Sequence, residues 1–336
     1  MKPIRVLVVD DSAFARKVMR EVLSSAGMDV VGIARDGLEA LEKIAELKPD
    51  VITLDLVMPN LDGMGVLAAL PPDGPRVVVV SMAGESSALG IAALHAGAID
   101  LVQKPTAQAV DKLYSLSSEL VAAVTAAAGA KAPSATPVQP LAEALVASSK
   151  SIVVIGASTG GPQALSRLIK ALPANFPLPV ALVLHLPAGY TQSFAERLNG
   201  EAALSVVEAS PGLPIVAGQV VVARAGLHLK LARSGSAVHA VLDSQPSTTP
   251  HRPAVDMLFE SAAQVYGSRV LGVVLTGMGD DGTAGGRAIK AAGGEILTES
   301  ESSCVVYGMP RAAVEAGLSS ASVRIDAMAA EIVRHL

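Results

Sequence analysis

Short β-branched apolar runs recur along the whole chain, and six of them lead to a residue able to do chemistry. Ile4–Val9 ends at Asp10-Asp11, Val51–Leu54 at Asp55 and Val77–Val80 at Ser81. Ile152–Ile155 leads into Gly156-Ala157-Ser158, Val180–Leu184 ends at His185, and Val270–Leu275 runs into T-G-M-G-D-D-G at 276–282. Such runs read as strands buried on both faces. Helical stretches alternate with them, at about Ser12–Ala26, Gly37–Leu47, Ala164–Leu172, Gln192–Leu198, Pro253–Tyr266 and Gly285–Ala292. Strand–helix alternation implies parallel sheets covered on both sides. Ligands of such sheets bind beyond the carboxyl ends of the strands, where these polar residues fall.

With 336 residues the chain has length for two domains. Only 2% of it is aromatic and it has no Trp, so its cores must be built from Ala, Val, Leu and Ile. No apolar run reaches the ~18 residues of a membrane span, and the N-terminal run, closed by two acids, is short for a signal peptide. The one cysteine, Cys304, excludes an intrachain disulfide, fits a reducing cytoplasm and reads as core. A net charge of −5 gives no electrostatic reason to expect a nucleic-acid partner.

Residues 1–124 form the first predicted domain. Further strands at Val30–Ala34 and Leu101–Val102 complete a five-stranded sheet, and Lys104-Pro105 follows the last. Asp10, Asp11, Asp55, Ser81 and Lys104 share one edge. Any one of these acids alone would be a solvated loop carboxylate. Together, three crowded carboxylates favour a hard divalent cation, Mg2+ with retained waters. Lys104 adds a mobile cation for a phosphoryl oxygen, and Asp55 becomes a candidate phosphoryl acceptor. Asp10-Asp11, L-D-L-V-M-P-N-L-D-G, Ser81 and Lys104-Pro105 resemble the receiver domain of bacterial response regulators, a flavodoxin-like fold. That resemblance implies phosphorylation of Asp55 by a partner histidine kinase, Mg2+ held by Asp10, Asp11 and Asp55, and sensing of the phosphoryl group by Ser81 and Lys104. Many receivers carry an aromatic residue near Leu101 that rotates on activation, and Leu101 cannot act in that way.

Residues 125–149, with three prolines among small residues, read as a semi-rigid linker with a short helical turn at Leu141–Val146. Residues 150–336 form the second predicted domain. In S-I-V-V-I-G-A-S-T-G-G-P, Ser158 sits on a Gly-rich turn between a strand and a helix. Its hydroxyl is held out of the sheet beside free helix-start N–H groups, which suits a nucleophile whose reaction develops an oxyanion. A phosphate-binding or plain turn is the alternative. Ser158, His185 and the Asp280-Asp281 pair each follow an apolar strand, so parallel strands would gather them at one edge as nucleophile, base and orienting acid. A Rossmann site would need an acid where the second strand ends in His185, and G-x-G-x-x-G spacing that is missing. An α/β-hydrolase would place its acid before its histidine along the chain, the reverse of this order. Leu204–Val207, Val220–Ala223, His228–Ala232 and Ala237–Leu242 read as short strands with hairpin character, and Glu295–Leu297 as a late strand.

G-A-S-T-G-G-P, H-L-P-A-G-Y-T-Q-S-F-A-E-R-L-N, H-R-P-A-V-D-M-L-F, T-G-M-G-D-D-G and S-C-V-V-Y-G-M-P-R-A are similar to the catalytic domain of the chemotaxis protein-glutamate methylesterases, the CheB family. Both domains and their order match. The resemblance implies a doubly wound α/β catalytic domain with a mostly parallel sheet and a small antiparallel hairpin. It implies Ser158 as nucleophile, His185 as general base and Asp281, rather than Asp280, as the acid. Backbone N–H groups near Ser158 and Met278 would form the oxyanion hole. The expected substrates are glutamate methyl esters, and receptor glutamines, on methyl-accepting chemoreceptors, with no cofactor for hydrolysis and no direct membrane insertion. The receiver is expected to cover the Ser158 edge until Asp55 is phosphorylated. His-Leu-Pro-Ala at 185–188 departs from the expected His-Met-Pro-Pro. His251 reads as a structural or rim residue, and His95, His228, His239 and His335 have no chemical context. A receiver joined to a non-catalytic receptor-binding module is the alternative reading.

Overall fold

The computed structural model describes residues 2–82, 87–104, 113–130, 148–245, 249 and 251–336. Pro105, Pro250 and the helical turn read at Leu141–Val146 lie outside the described residues. The chain divides into two compact units, Met1–Ala130 and Lys131–Leu336.

In the first unit the elements run β1 (Arg5–Val9), α1 (Ala13–Ser25), β2 (Asp29–Ala34), α2 (Gly37–Leu47), β3 (Val51–Leu54) and α3 (Gly63–Ala69), then β4 (Arg76–Ser81), α4 (Ser87–His95), β5 (Asp100–Gln103) and α5 (Leu113–Ala128). The sheet order is β2-β1-β3-β4-β5, and every pair is parallel. Ser12 caps α1 by accepting the Ala15 N–H, and Asp36 caps α2 by accepting that of Glu39. Unsatisfied first-turn donors explain both residue types. Val6–Val9 and Val51–Ile52 are fully buried, as expected of a sheet covered on both faces. α5 continues to Ala128, past Val124, through an alanine-rich stretch of high helix propensity. Leu101 is buried on β5, opposite Val79.

The second unit runs β6 (Ile152–Ala157), α6 (Gly161–Ala171), β7 (Val180–Leu184), α7 (Thr191–Glu201), β8 (Ser205–Glu208), β9 (Gln219–Val222), β10 (His228–Ser234) and β11 (Ala237–Asp243). It continues α8 (Val255–Tyr266), β12 (Val270–Val274), α9 (Thr283–Ala291), β13 (Glu295–Glu299), α10 (Met309–Glu315), β14 (Ala321–Val323) and α11 (Ile325–Arg334). Seven strands form one sheet in the order β14-β13-β12-β6-β7-β9-β8, all in parallel pairs. Only β10 and β11 form a hairpin among the described residues. Gly235-Ser236 is a two-residue turn with Gly235 at φ 62°, which can join only antiparallel neighbours. β8 and β9 are instead separated by residues 209–218, room enough for a crossover, and they join the main sheet in parallel. The chain grows outward from β6 to β9 and β8, then returns to build β12, β13 and β14 on the other side. β6 is therefore the topological switch point.

α8 packs under this point. Phe259 is fully buried in the core formed with Val154, Leu258 and Ile289. A methyl on Gly285 would lie 2.5 Å from the Phe259 Cβ, so α8 and α9 touch closely. Phe259→Ala should cost about 3–5 kcal/mol of stability. Urea unfolding of the full chain should show a lowered midpoint for this unit with its slope unchanged.

Candidate active site

β6 is flanked by β12 and β7. In register, Gly156 faces Val274 and Ala157 faces Leu184. Ser158 and His185 are thus the next residues after a paired position, about one strand spacing, ~4.8 Å, apart. The His185 N–H donates to the Ala157 carbonyl at 3.1 Å, fixing the start of its loop. Gly160 takes φ 76°, and a Cβ there would stand 2.5 Å from the Val305 side chain. Glycine alone meets both demands, and the turn delivers Ser158 to the N-terminus of α6.

Thr276 ties the neighbouring loops to this turn. Its carbonyl accepts the Ser158 N–H at 3.0 Å, its hydroxyl donates to the Thr159 carbonyl at 3.0 Å and accepts the Val306 N–H at 2.9 Å. Its own N–H donates to the buried Glu299 carboxylate at 2.9 Å. Burial pushes the Glu299 carboxyl up to about 6, against the pull of its donors. Gly277 packs on Ser158, and a methyl there would lie 2.8 Å from the Ser158 Cβ and 3.1 Å from its N. The next residue, Met278, is 41% exposed, and its N–H has no partner among the described residues. The Ser158 N–H is already taken by Thr276, so a free donor near the turn must come from a neighbouring residue.

The His185 Nε2 lies 2.8 Å from the Asp281 Oδ2. Asp281 is 7% exposed and also accepts the Val255 N–H at 2.8 Å and the Asp256 N–H at 2.9 Å, at the start of α8. Burial opposes its charge, but His185 and the two backbone donors win, and its carboxyl sits below the ordinary range. An ionised carboxylate only accepts, so Nε2 carries the proton. The Nδ1 is then the free base nitrogen; it is buried and has no partner among the described residues, Ser158 Oγ included. Asp280 is exposed. The structure thus joins His185 to Asp281 and sets Ser158 on the adjacent strand end, without a hydrogen bond from serine to imidazole.

His251 is an exposed rim residue that also touches the site. Its ring stacks on His185 with centroids 4.1 Å apart and planes 20° off parallel. Desolvation and then the His185 charge hold its imidazole below the ordinary value. Position before a helix carries no signal for this contact, which depends on how the loop folds back. His228 is fully buried and its Nδ1 accepts the Ala254 N–H at 3.3 Å. Thr276, Glu299 and Asp256 were also not singled out from the sequence. Thr276 and Asp256 did lie inside the motifs T-G-M-G and H-R-P-A-V-D.

In the first unit, carboxylate oxygens of Asp10, Asp11 and Asp55 lie within 4.8 Å of one another. Lys104 Nζ reaches Asp55 at 2.7 Å, Asp10 at 2.9 Å and Asp11 at 3.6 Å. Burial pushes the Asp10 carboxyl up to about 6, outweighing Lys104, and the Asp55 charge adds to the rise. Burial also works against the Lys104 charge, but Asp55 and Asp10 hold its ammonium above the usual range. Ser81 is buried at the end of β4, and its carbonyl accepts the Lys104 N–H at 2.9 Å. All five residues meet at one sheet edge.

Comparison with known proteins matches residues 153–332 to the CheB methylesterase family and residues 6–114 to the response regulator receiver domain. The chain is 61% identical to protein-glutamate methylesterase/protein-glutamine glutaminase 5 of Myxococcus xanthus, covering 100% of this chain and 99% of that protein. It is 42% identical to the enzyme of that name from Geobacillus kaustophilus, over 99% of both chains. The crystal structure of the Thermotoga maritima CheB methylesterase catalytic domain aligns with a TM-score of 0.55 at 39% identity, covering 56% of this chain and 100% of that one. No helix among the described residues is long and apolar enough to cross a membrane.

Gly277→Ala should press on Ser158 and shift its turn. Acylation of Ser158 by a fluorophosphonate probe should slow about tenfold or more while cooperative unfolding is kept, because small misplacements of reacting groups are costly.

Proposed function

The chain belongs to the CheB family of protein-glutamate methylesterases/protein-glutamine glutaminases with a receiver domain, and from that premise we propose that it hydrolyses glutamate 5-methyl esters on methyl-accepting chemoreceptors, under control of Asp55 phosphorylation. The observation that carries the reading is the His185–Asp281 pair standing one strand from Ser158, inside the region matched to the methylesterase family.

In this mechanism the Ser158 Oγ attacks the ester carbonyl carbon as its proton passes to His185 Nδ1. Asp281 holds the opposite nitrogen and stabilises the imidazolium. The Met278 N–H and a donor near the Ser158 turn meet the developing oxyanion. Collapse breaks the bond to methoxide, which takes the proton from His185 and leaves as methanol. Water, deprotonated by the same nitrogen, then hydrolyses the acyl-enzyme and restores Ser158. A glutamine side chain passes through the same acyl-enzyme with ammonia as leaving group. The Ser158–His185 approach closes when substrate binds, as catalytic hydrogen bonds commonly do.

The receiver edge fits Mg2+: it offers oxygen ligands only, and the Asp10 Oδ2 is buried without a partner among the described residues. Asp10 and Asp11 would hold the ion together with Asp55, and it would supply charge neutralisation to phosphoryl oxygens. Asp55 accepts the phosphoryl group from a histidine kinase, and Lys104 and Ser81 reorganise around the new anion.

Ser158→Ala should lower methanol release from methylated receptor about 10³-fold or more, leaving residual catalysis from binding and oxyanion donors. A phosphodonor should raise the turnover of the full chain, and a chain starting at Lys150 should be faster than the unphosphorylated full chain. Near-normal release by the Ser158 variant would reject the assignment.

A metal ligand must be deprotonated, so Mg2+ affinity measured by calorimetry should hold above pH 7. As pH drops below the Asp10 value of about 6, the affinity should fall by about tenfold per unit. A flat response down to pH ~5 would remove Asp10 from the ligand set.

A further inference from the structure

Asp256 is a second buried carboxylate at the esterase edge, and neither the triad nor the oxyanion donors account for it. It lies in the first turn of α8, and its Oδ1 accepts the Gly282 N–H at 2.9 Å and the Gly285 N–H at 2.7 Å, at the start of α9. Asp281, just before α9, does the reverse. It accepts the Val255 and Asp256 N–H groups at the start of α8. Each acid therefore sits at the N-terminus of the helix beside which the other acid lies in the chain. The exchange satisfies orphan donors on both helices and sets a negative charge against each helix dipole.

Resting on the esterase reading above, we propose that Asp256 is the positioning residue that holds Asp281 in register with His185. It grips Asp281 from two sides. Its own N–H binds the Asp281 Oδ1, and its carboxylate binds the N–H of Gly282, the residue after Asp281. Here the acid comes from a Gly-rich loop with Gly279 and Gly282 at positive φ, so its backbone has little stiffness of its own. The lock between α8 and α9 replaces that stiffness.

The arrangement also links acidity to geometry. Burial raises the Asp256 carboxyl to about 6, and the Asp281 charge adds to the rise. Protonation at Asp256 weakens its hold on Gly282 and Gly285 and removes a negative charge beside the His185–Asp281 pair. The other ionisable groups facing this lock are His185 and Asp280 beside Asp281, His251 on the His185 ring, Glu260 on α8, and His228 with Arg252 behind the Ala254 turn.

The test uses the full chain with Asp256→Asn, which keeps the acceptor and removes the charge, and Asp256→Ala, which removes both. Methanol release is followed from about pH 5 to about pH 9, and the His185 ring protons are titrated by NMR. The expected result for Asp256→Asn is an acid limb and a His185 titration midpoint that both move to lower pH, with KM unchanged. Asp256→Ala should lose about tenfold or more in kcat, again at constant KM. A wild-type profile and titration in Asp256→Asn would overturn the proposal, as would an Ala effect confined to KM. If the Ala variant does not fold, the Asn variant decides alone. The NMR titration needs no turnover, so a wild-type chain that releases no methanol would reject the esterase reading while Asp256 is still judged.

Discussion

A buried carboxylate is expensive unless its charge is answered, and the larger unit is built around one that is answered three times. Asp281 receives donors from an imidazole and from two successive N–H groups of α8. Those N–H groups point at it only because α8 starts there, and α8 starts there because Phe259 and Leu258 are buried beneath the sheet. The core thus sets the direction of the helix, the helix fixes Asp281, and Asp281 orients the His185 ring. Hydrophobic burial and the geometry of the candidate site are one chain of cause in this unit.

The smaller unit solves a similar problem with a different balance of donors. Asp10 and Asp55 are also buried at a parallel sheet edge, where each accepts one backbone N–H, from Ser12 and Val57, but a flexible lysine shared between them supplies the counter-charge. The difference follows from what each edge is proposed to do. An edge that gains and loses a phosphoryl group must exchange its counter-charge, and an ammonium on a four-carbon stem can move. An edge that holds an imidazole through repeated turnovers must not relax. Peptide N–H groups anchored in a helix supply charge complementarity with no rotamer to lose.

The polar strand ends made both edges legible in the sequence. Period and length marked most strands, and parallel topology then forced Asp10, Asp55, Ser81 and Lys104 together, and likewise Ser158, His185 and Asp281. Less visible were features that depend on how distant loops fold back. The hairpin reading of four strands failed for β8 and β9, because strand propensity says nothing of direction and only the length of residues 209–218 hinted at a crossover. His251 looked peripheral because a ring stack across a loop has no sequence period. Thr276, Glu299 and Asp256 act through backbone N–H groups of other segments. Such partners are set by tertiary placement and not by any spacing along the chain.

The order of strands also explains which imidazole nitrogen is left free. His185 follows β7 and Asp281 follows β12, with β6 and its Ser158 between them. To reach the acid, the imidazole must span past the end of β6, across about two strand spacings, ~9.6 Å. The far nitrogen, Nε2, has the longer reach from the Cα and takes the carboxylate. The near nitrogen, Nδ1, is then left buried and without a partner among the described residues. In the familiar serine-protease arrangement the acid binds Nδ1 and the serine faces Nε2. The exchange of nitrogens here follows from placing the proposed nucleophile, Ser158, on the central strand, and it preserves one donor toward Asp281 and one lone pair for an alcohol.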